Sequence, residues 1–275
     1  MDDPRTPCAL TIAGSDSGGG AGIQADLRTF AAFGVHGLSA IAALTAQHTR
    51  GVTAVHVPPV AFLRAQIDAC FDDFRIGAVK LGMLANAEAI HAVADALEFH
   101  APACIVLDPV MVATSGAKLL EDDALHALRT RLLPMATVLT PNIPEAELLL
   151  GQRIENADAA NDAARSLLAL GARAVLLKGA HLDEGNIVVD RYIDATHDAP
   201  LDKQFRHDRL PLEGHGTGCT LASAIAANLC MGMCPADACE AATAYVAEAL
   251  RLGYRPGKGA VVVLDHFGAS PPGSG

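Results

Sequence analysis

The chain has 275 residues, of which 51% are hydrophobic and 19% charged, and its formal net charge is −11. This composition excludes an intrinsically disordered chain, which needs low hydrophobicity. The acidic excess argues against nucleic acid and anionic membranes as partners, because both bind basic surfaces.

Cysteine usage and the first residues favour a cytoplasmic protein. The seven cysteines are scattered and odd in number, which does not fit a disulfide framework and favours a reducing compartment. The first eight residues lack an apolar run of signal-peptide length. Residues 214–236 carry no charge, but the stretch begins with glycines, is rich in alanine and contains Asn228 and Pro235. We therefore predict a buried helix there rather than a membrane span.

Short apolar runs typical of strands alternate with helical patterns along the chain. The predicted strands cover residues 10–13, 38–44, 52–57, 78–81, 104–107, 138–140, 174–177, 187–193 and 205–210. Apolar side chains recur with helical spacing in 60–71, 90–97 and 125–132. A helix is also expected to begin near Ile23, and two alanine-rich helices are expected at 219–231 and 236–252.

This alternation predicts an α/β fold in which right-handed βαβ units form a mostly parallel sheet covered on both faces. The runs 187–193 and 205–210 have no helix between them, which predicts an antiparallel edge. Without an internal repeat or linker, we expect a single domain over residues 1–267 and a disordered tail at 268–275. Ligands of such sheets bind beyond the carboxyl ends of the strands, so the residues after each strand are candidates for the site.

The first predicted strand is followed by five glycines between Gly14 and Gly22. Their backbone N–H groups, at the start of a helix, would bind a negative or polar group, and a merely flexible turn is the alternative. Residues 20–25 formally match a dinucleotide fingerprint, but no acidic residue lies between Asp26 and Asp68 to bind a ribose. We reject that interpretation, and the absence of GxxxxGK[ST] excludes a P-loop kinase.

Polar residues follow three further predicted strands. Asp108 would hold a metal ion or orient a reacting hydroxyl, or else begin an Asp-Pro turn. Asn142 and Glu145 fit a helix cap with a capping box, and equally a hydrated Mg²⁺ site. Lys178 would pair with a phosphate or extend into solvent from a loop. The residues alone leave each pair of alternatives open.

The turn Gly214-His-Gly-Thr-Gly-Cys-Thr220 runs directly into an apolar helix. Its three glycines free backbone N–H groups at a helix N-terminus, which predicts an anion hole. At such a position the pKa of a thiol falls from about 8.5 to between about 3.5 and 7.5, so we expect Cys219 to form a thiolate near neutral pH. The alternative is a glycine-rich helix start with a buried cysteine.

Seven segments resemble, in the same order, motifs of the hydroxymethylpyrimidine/phosphomethylpyrimidine kinases, a thiamin-pathway family of the ribokinase-like superfamily. The resemblance spans about residues 9–267, and its segments are 13–26, 44–51, 80–83, 107–111, 140–147, 177–182 and 215–220. It implies a three-layer α/β/α sandwich, a homodimer, and the use of ATP and Mg²⁺. It also implies phosphorylation of 4-amino-5-hydroxymethyl-2-methylpyrimidine and then of its monophosphate.

The resemblance further implies roles for particular residues. Gln47 would bind the aminopyrimidine edge with help from Asp26, while Gly14, Met83 and Val110 would line the pyrimidine pocket. For Mg-ATP and its phosphates the implied residues are Asn142, Glu145, Lys178 and Thr217, with Asp108 and Glu145 at the metal. The turn from Gly216 through Gly218 to Cys219 is the implied anion hole, and Cys219 stands where ribokinase relatives carry an aspartate base.

Two residues depart from the family pattern: Gly18 replaces the usual serine of the glycine loop, and His48 replaces the usual asparagine after Gln47. We expect in-line transfer of the γ-phosphoryl group, with the Cys219 side chain taking the hydroxyl proton and the backbone donors of Gly216, Gly218 and Cys219 stabilising the developing charge. The rival functions are a pyridoxal kinase, which Gln47 argues against, and a non-catalytic pyrimidine-binding regulator.

Overall fold

The computed structural model describes residues 6–111, 122–195 and 201–269. Residues 270–275 of the predicted tail lie outside these ranges. The described strands are β1 (Cys8–Asp16), β2 (His36–His48), β3 (Gly51–His56), β4 (Ile76–Leu81), β5 (Ile105–Leu107), β6 (Val138–Leu139), β7 (Ala174–Leu177), β8 (Ile187–Asp194), β9 (Leu201–Asp208), β10 (Gly214–His215) and β11 (Val262–Val263).

The described helices are α1 (Gly22–Ala32), α2 (Val60–Asp73), α3 (Ala87–His100), α4 (Asp122–Ala127), α5 (Ile143–Leu150), α6 (Ala157–Leu168), α7 (Thr217–Cys230) and α8 (Pro235–Arg251). Helix α4 continues into a π-helical turn, Leu128–Leu132, and a 3₁₀ turn, Leu133–Met135. The sequence did not predict α6, whose buried face consists mainly of alanines. Among the described residues, no helix combines the length and apolar character needed to cross a membrane.

The strands β1 to β9 form one sheet in the order β3-β2-β1-β4-β5-β6-β7-β8-β9. Its central pairs, from β2–β1 through β6–β7, are parallel. The pairs β7–β8 and β8–β9 are antiparallel, which confirms the predicted edge. A third antiparallel pair, β2–β3 at the opposite edge of the sheet, was not predicted. Only Thr49 and Arg50 separate these two strands, and a connection of two residues can join only antiparallel neighbours.

Helices cover both faces of the sheet, as the sequence predicts. One face packs against α2 to α6 through residues such as Leu63, Val93 and Leu149. The other packs against α1, α7 and α8 through Phe30, Ile225 and neighbouring apolar side chains. Helix α7 is buried along nearly its whole length, which explains its lack of charge. The single-domain assignment stays a prediction.

Candidate active site

A cavity of about 830 Å³ lies at the carboxyl ends of the parallel strands, within the range of roughly 300–1,000 Å³ common for small-molecule sites. Parallel strands deliver their following residues to one edge of the sheet, so the predicted motifs meet there. The predicted site residues that line the cavity are Gly14, Gln47, Met83, Asp108, Val110, Asn142, Glu145, Lys178, Gly216, Thr217, Gly218 and Cys219.

Asp16, at the end of β1, organises the glycine-rich loop. Its carboxylate accepts hydrogen bonds from the N–H groups of Gly18 (2.8 Å), Gly20 (3.1 Å) and Ala21 (2.9 Å). Burial by itself raises the pKa of Asp16, but hydrogen bonds from His215 and the backbone outweigh it, so the pKa is lowered. The expectation that the loop's N–H groups bind a ligand is therefore wrong for these three, which bind Asp16 instead.

The glycine loop contacts the second glycine-rich turn directly. His215 Nε2 lies 2.9 Å from Asp16 Oδ2 and 3.2 Å from Gln47 Nε2. Gly216 has φ +90°, and a Cβ there would overlap the carbonyl oxygen of Gly20. Sequence reasoning missed the roles of Asp16 and His215, although an acidic residue at a strand end followed by glycines was a usable signal.

Asp26 does not reach the cavity, which corrects the prediction that it helps to bind the pyrimidine. Its buried carboxylate accepts hydrogen bonds from Thr11 (2.6 Å), Ser223 (2.8 Å) and Lys80 (2.9 Å to each oxygen). Asp26 and Lys80 are both 0% exposed. Because α1 turns Asp26 toward β4 and α7, this carboxylate joins elements of the core, and sequence reasoning assigned no role to its partner Lys80.

Asp108, Glu145 and Lys178 form one charged cluster. Lys178 Nζ lies 3.1 Å from Asp108 Oδ1 and 3.9 Å from Glu145 Oε2. Burial and the charge of Asp108 raise the pKa of Glu145 to about 7, against the opposing effect of Lys178. Burial lowers the pKa of Lys178, but the two carboxylates reverse this effect and hold it above its ordinary value. The cluster therefore has a surplus of negative charge when both carboxylates are ionised.

The capping interpretation of Asn142 and Glu145 is confirmed. The Glu145 N–H donates to Asn142 Oδ1 (2.8 Å), and the Asn142 N–H donates to Glu145 Oε2 (2.8 Å). This capping box fixes both side chains at the start of α5. The two alternatives left open by the sequence are thus compatible, because the same cap holds Glu145 beside Lys178.

The N-terminus of α7 faces the charged cluster. A Cβ on Gly218 would lie 3.2 Å from Lys178 Nζ and 3.4 Å from Asp108 Oδ2. Gly218 thus brings backbone close to the groups at the tips of β5 and β7. An anion bound there would meet a helix N-terminus on one side and an ammonium group on the other.

The predicted low pKa of Cys219 is wrong for this site without bound ligands. Burial raises the pKa of the thiol to about 11, and the carboxylates of Asp26 and Asp108 act in the same direction. Lys80 and a hydrogen bond from the Gly22 N–H oppose them without prevailing. The helix N-terminus is only one of several influences here, so the thiol is protonated at neutral pH.

The predicted pyrimidine pocket lies beside the glycine loop. A Cβ on Gly14 would lie 2.5 Å from Met83 Cε, so the absence of a side chain lets Met83 pack there. Gly18 is also tightly enclosed, because a Cβ would lie 3.1 Å from Asp16 Oδ1 and 3.2 Å from the Gln47 carbonyl oxygen. A serine at this position would therefore require the loop to move by a few tenths of an ångström. His48 is exposed on the β2–β3 hairpin.

The model of the family described as phosphomethylpyrimidine kinase matches residues 16–264. The chain belongs to this family. A hydroxymethylpyrimidine/phosphomethylpyrimidine kinase of Rhizobium meliloti is 48% identical over 271 residues, covering 95% of this chain and 97% of the relative. The thiamine biosynthesis bifunctional protein ThiED of Geobacter sulfurreducens is 48% identical, and the chain spans 50% of its length.

Solved structures of kinases have the same fold. The phosphomethylpyrimidine kinase of Clostridium difficile has a TM-score of 0.78 and 41% identity, covering 90% of this chain and 100% of that chain. A pyridoxal kinase of Staphylococcus aureus, in complex with AMP-PCP and pyridoxal, has a TM-score of 0.85 and 32% identity, covering 96% and 94%. These matches confirm the predicted ribokinase-like fold, the phosphotransferase class and the hydroxymethylpyrimidine/phosphomethylpyrimidine kinase function.

Proposed function

We propose that this kinase binds the pyrimidine between Gln47 and Met83 and transfers the γ-phosphoryl group of ATP to its hydroxymethyl group, then phosphorylates the monophosphate. The observation that carries the proposal is the placement, in one cavity, of the Gln47 amide and the cluster of Lys178, Asp108 and the α7 N-terminus. An amide both donates and accepts hydrogen bonds, as an aminopyrimidine edge requires. The charged cluster and helix N-terminus supply phosphate-binding chemistry.

The proposed phosphate site works by positioning and charge neutralisation, which dominate phosphoryl transfer. Lys178 would pair with a phosphate oxygen, while the N–H groups of Gly216, Thr217 and Gly218 would bind the others. Asn142 would form part of the nucleotide site, with its side chain held in place by the cap of α5. Because these donors belong to glycine-rich backbone and one lysine, the net charge of −11 does not oppose a small anionic ligand.

Asp108 and Glu145 are the residues that would hold Mg²⁺. Two buried carboxylates beside one ammonium leave negative charge that a cation would balance, and Mg²⁺ uses one or two carboxylates together with phosphates and water. Among the residues that the structure describes, no group of three or more His, Cys, Asp or Glu could hold a metal ion, which agrees with a site completed by substrate. Bound Mg²⁺ supplies charge neutralisation at the phosphates.

Cys219 would take the proton of the substrate hydroxyl while the hydroxyl oxygen forms its bond to phosphorus. Its thiol borders the cavity beside Gly218, next to the phosphate site. The raised pKa keeps the thiol protonated at neutral pH, and a protonated thiol cannot accept a proton. Cys219 would therefore first release its own proton to water and, as the thiolate, then take the hydroxyl proton during phosphoryl transfer.

A coupled ATPase assay with hydroxymethylpyrimidine, its monophosphate and pyridoxal in parallel tests the proposal. We expect turnover with the two pyrimidines, a turnover loss of about 100- to 10,000-fold in Cys219→Ala, and a raised pyrimidine KM in Gln47→Ala. Cys234→Ala is the matched control, because Cys234 is exposed and does not line the cavity. Unchanged turnover in Cys219→Ala would exclude its catalytic role.

A pyridoxal kinase is the second candidate function, and the similarity to the Staphylococcus aureus pyridoxal kinase favours it. A preference for pyridoxal in the same assay would replace the first proposal. The homodimer is proposed on family resemblance and the cytoplasmic location on the scattered cysteines, and light scattering of the purified chain tests the first.

A further inference from the structure

His215 contacts two other residues of the site through one ring nitrogen. Its ring is buried (9% exposed), and its Nε2 atom lies between the carboxylate of Asp16 (2.9 Å) and the amide of Gln47 (3.2 Å). It thereby joins the glycine loop, the β2 strand end and the α7 turn at a single atom.

The proton on His215 can be placed by its partners. The Asp16 carboxylate already accepts three backbone N–H groups and is ionised at neutral pH, so it can only accept from the imidazole. Nε2 must therefore carry a hydrogen. A protonated Nε2 has no free lone pair, so it cannot accept from an amide nitrogen. Its one hydrogen is then shared between the Asp16 carboxylate and the Gln47 amide, and only the amide oxygen can accept its share.

Thr45 leads to the same orientation from the other end of the amide. Thr45 Oγ1 lies 2.8 Å from the Ser15 carbonyl oxygen and 3.0 Å from the second end of the Gln47 amide. A hydroxyl has one hydrogen, and the carbonyl can only accept it. Thr45 must then accept from Gln47, which places the amide nitrogen on the Thr45 side. The oxygen and nitrogen of an Asn or Gln amide are assigned from such networks, and here two contacts agree on the reverse of the assignment that puts Gln47 Nε2 beside His215.

We propose that His215, held by Asp16, is a positioning residue that fixes the Gln47 amide with its oxygen toward His215 and its nitrogen toward Thr45, and so determines substrate specificity. The inference rests on the proposed role of Gln47. The remaining amide hydrogen and lone pair offer the cavity a donor and an acceptor in one fixed order. An aminopyrimidine edge has a ring nitrogen, which accepts, beside an amino group, which donates, and it pairs with that order. An edge with the two groups exchanged would place donor against donor and acceptor against acceptor.

Two variants separate positioning from packing. His215→Leu removes the N–H, whereas His215→Gln places an N–H near the Nε2 position. In His215→Leu we expect the pyrimidine KM to rise about 10- to 100-fold, the loss expected when a buried polar group goes unpaired, with a smaller change in kcat and an unchanged ATP KM. His215→Gln should restore most of the pyrimidine affinity. If His215→Leu lowered kcat and raised both KM values by similar factors, and His215→Gln did not restore them, His215 would have a structural role and the proposal would be overturned.

Nitrogen NMR of the histidine-labelled wild-type chain provides a measurement that is independent of activity. We expect the His215 ring, assigned by its loss in His215→Gln, to carry a hydrogen on Nε2. A bare Nε2 would overturn the amide orientation. An unchanged pyrimidine KM in Gln47→Ala would instead remove the proposed role of Gln47, and the NMR result would still report the orientation, so the two failures are distinguishable.

Discussion

We expect the replacement of Lys80 by methionine to destabilise the fold more than the removal of any exposed charged side chain would. Lys80 and Asp26 are both 0% exposed, and each Asp26 oxygen lies 2.9 Å from the ammonium. Removing one partner of a buried pair costs about 3–5 kcal/mol because the other charge remains buried. Hydrogen bonds from Thr11 and Ser223 persist, so we expect a loss near the lower limit, about 3 kcal/mol.

Urea denaturation followed by circular dichroism measures this loss, since the chain has no tryptophan. The double variant Lys80→Met with Asp26→Asn removes both charges, and we expect it to recover about 1–2 kcal/mol of the free energy of unfolding. A Lys80→Met variant within about 0.5 kcal/mol of wild type, the range of ordinary surface substitutions, would refute the reasoning that Asp26 depends on Lys80.

Three further predictions concern the cavity. The pKa of Glu145, raised to about 7 from 4.5, means that the folded chain holds this proton more tightly than the unfolded chain. The contribution of Glu145 to the free energy of unfolding should therefore fall by about 1–3 kcal/mol between pH 4.5 and 7. The difference in free energy of unfolding between wild type and Glu145→Gln measures that fall, and a difference that stays constant with pH would contradict the raised pKa. Gly216→Ala should lose more stability than Gly232→Ala, since both have φ +90° but only Gly216 contacts Gly20; equal thermal shifts would argue against the contact. Alkylation of Cys219, followed by mass spectrometry, should accelerate with pH toward about 11, and a plateau near pH 7 would contradict the raised pKa.

The residues at the strand tips could be predicted because the spacing of apolar residues and the order of strands and helices can be read from the local sequence. Asp108 and Lys178 each follow a short apolar run, and the parallel topology then requires them to meet. The β2–β3 hairpin was missed because the predicted strands, 38–44 and 52–57, left residues 45–51 between them, whereas in the structure only Thr49 and Arg50 separate the two strands. Helix α6 was missed because its buried face uses Ala160, Ala163 and Ala164, which give little hydrophobic contrast.

The contacts that set charge and orientation could not be predicted from local pattern. Asp26 lies in a motif that suggested a ligand contact, yet its partners come from β4 and α7, as far away as Ser223. His215 meets Asp16 across 199 residues. The pKa of Cys219 depends on burial and on two carboxylates far away in the chain, Asp26 on α1 and Asp108 after β5, whereas the sequence displayed only the helix start.

The contact between Gly216 and Gly20 has a consequence for the order of events during synthesis. The first strand and its loop leave the ribosome long before α7 is made, so the loop waits for a partner almost 200 residues later. Until then, the sheet face that α7 covers, with Ala78 and Val106 on it, is open to water or to other chains. Closure of the catalytic pocket is therefore a late, long-range step. A ribosome stalled before residue 214 would carry a nascent chain whose sheet is prone to aggregation and whose active site lacks the turn that leads into α7.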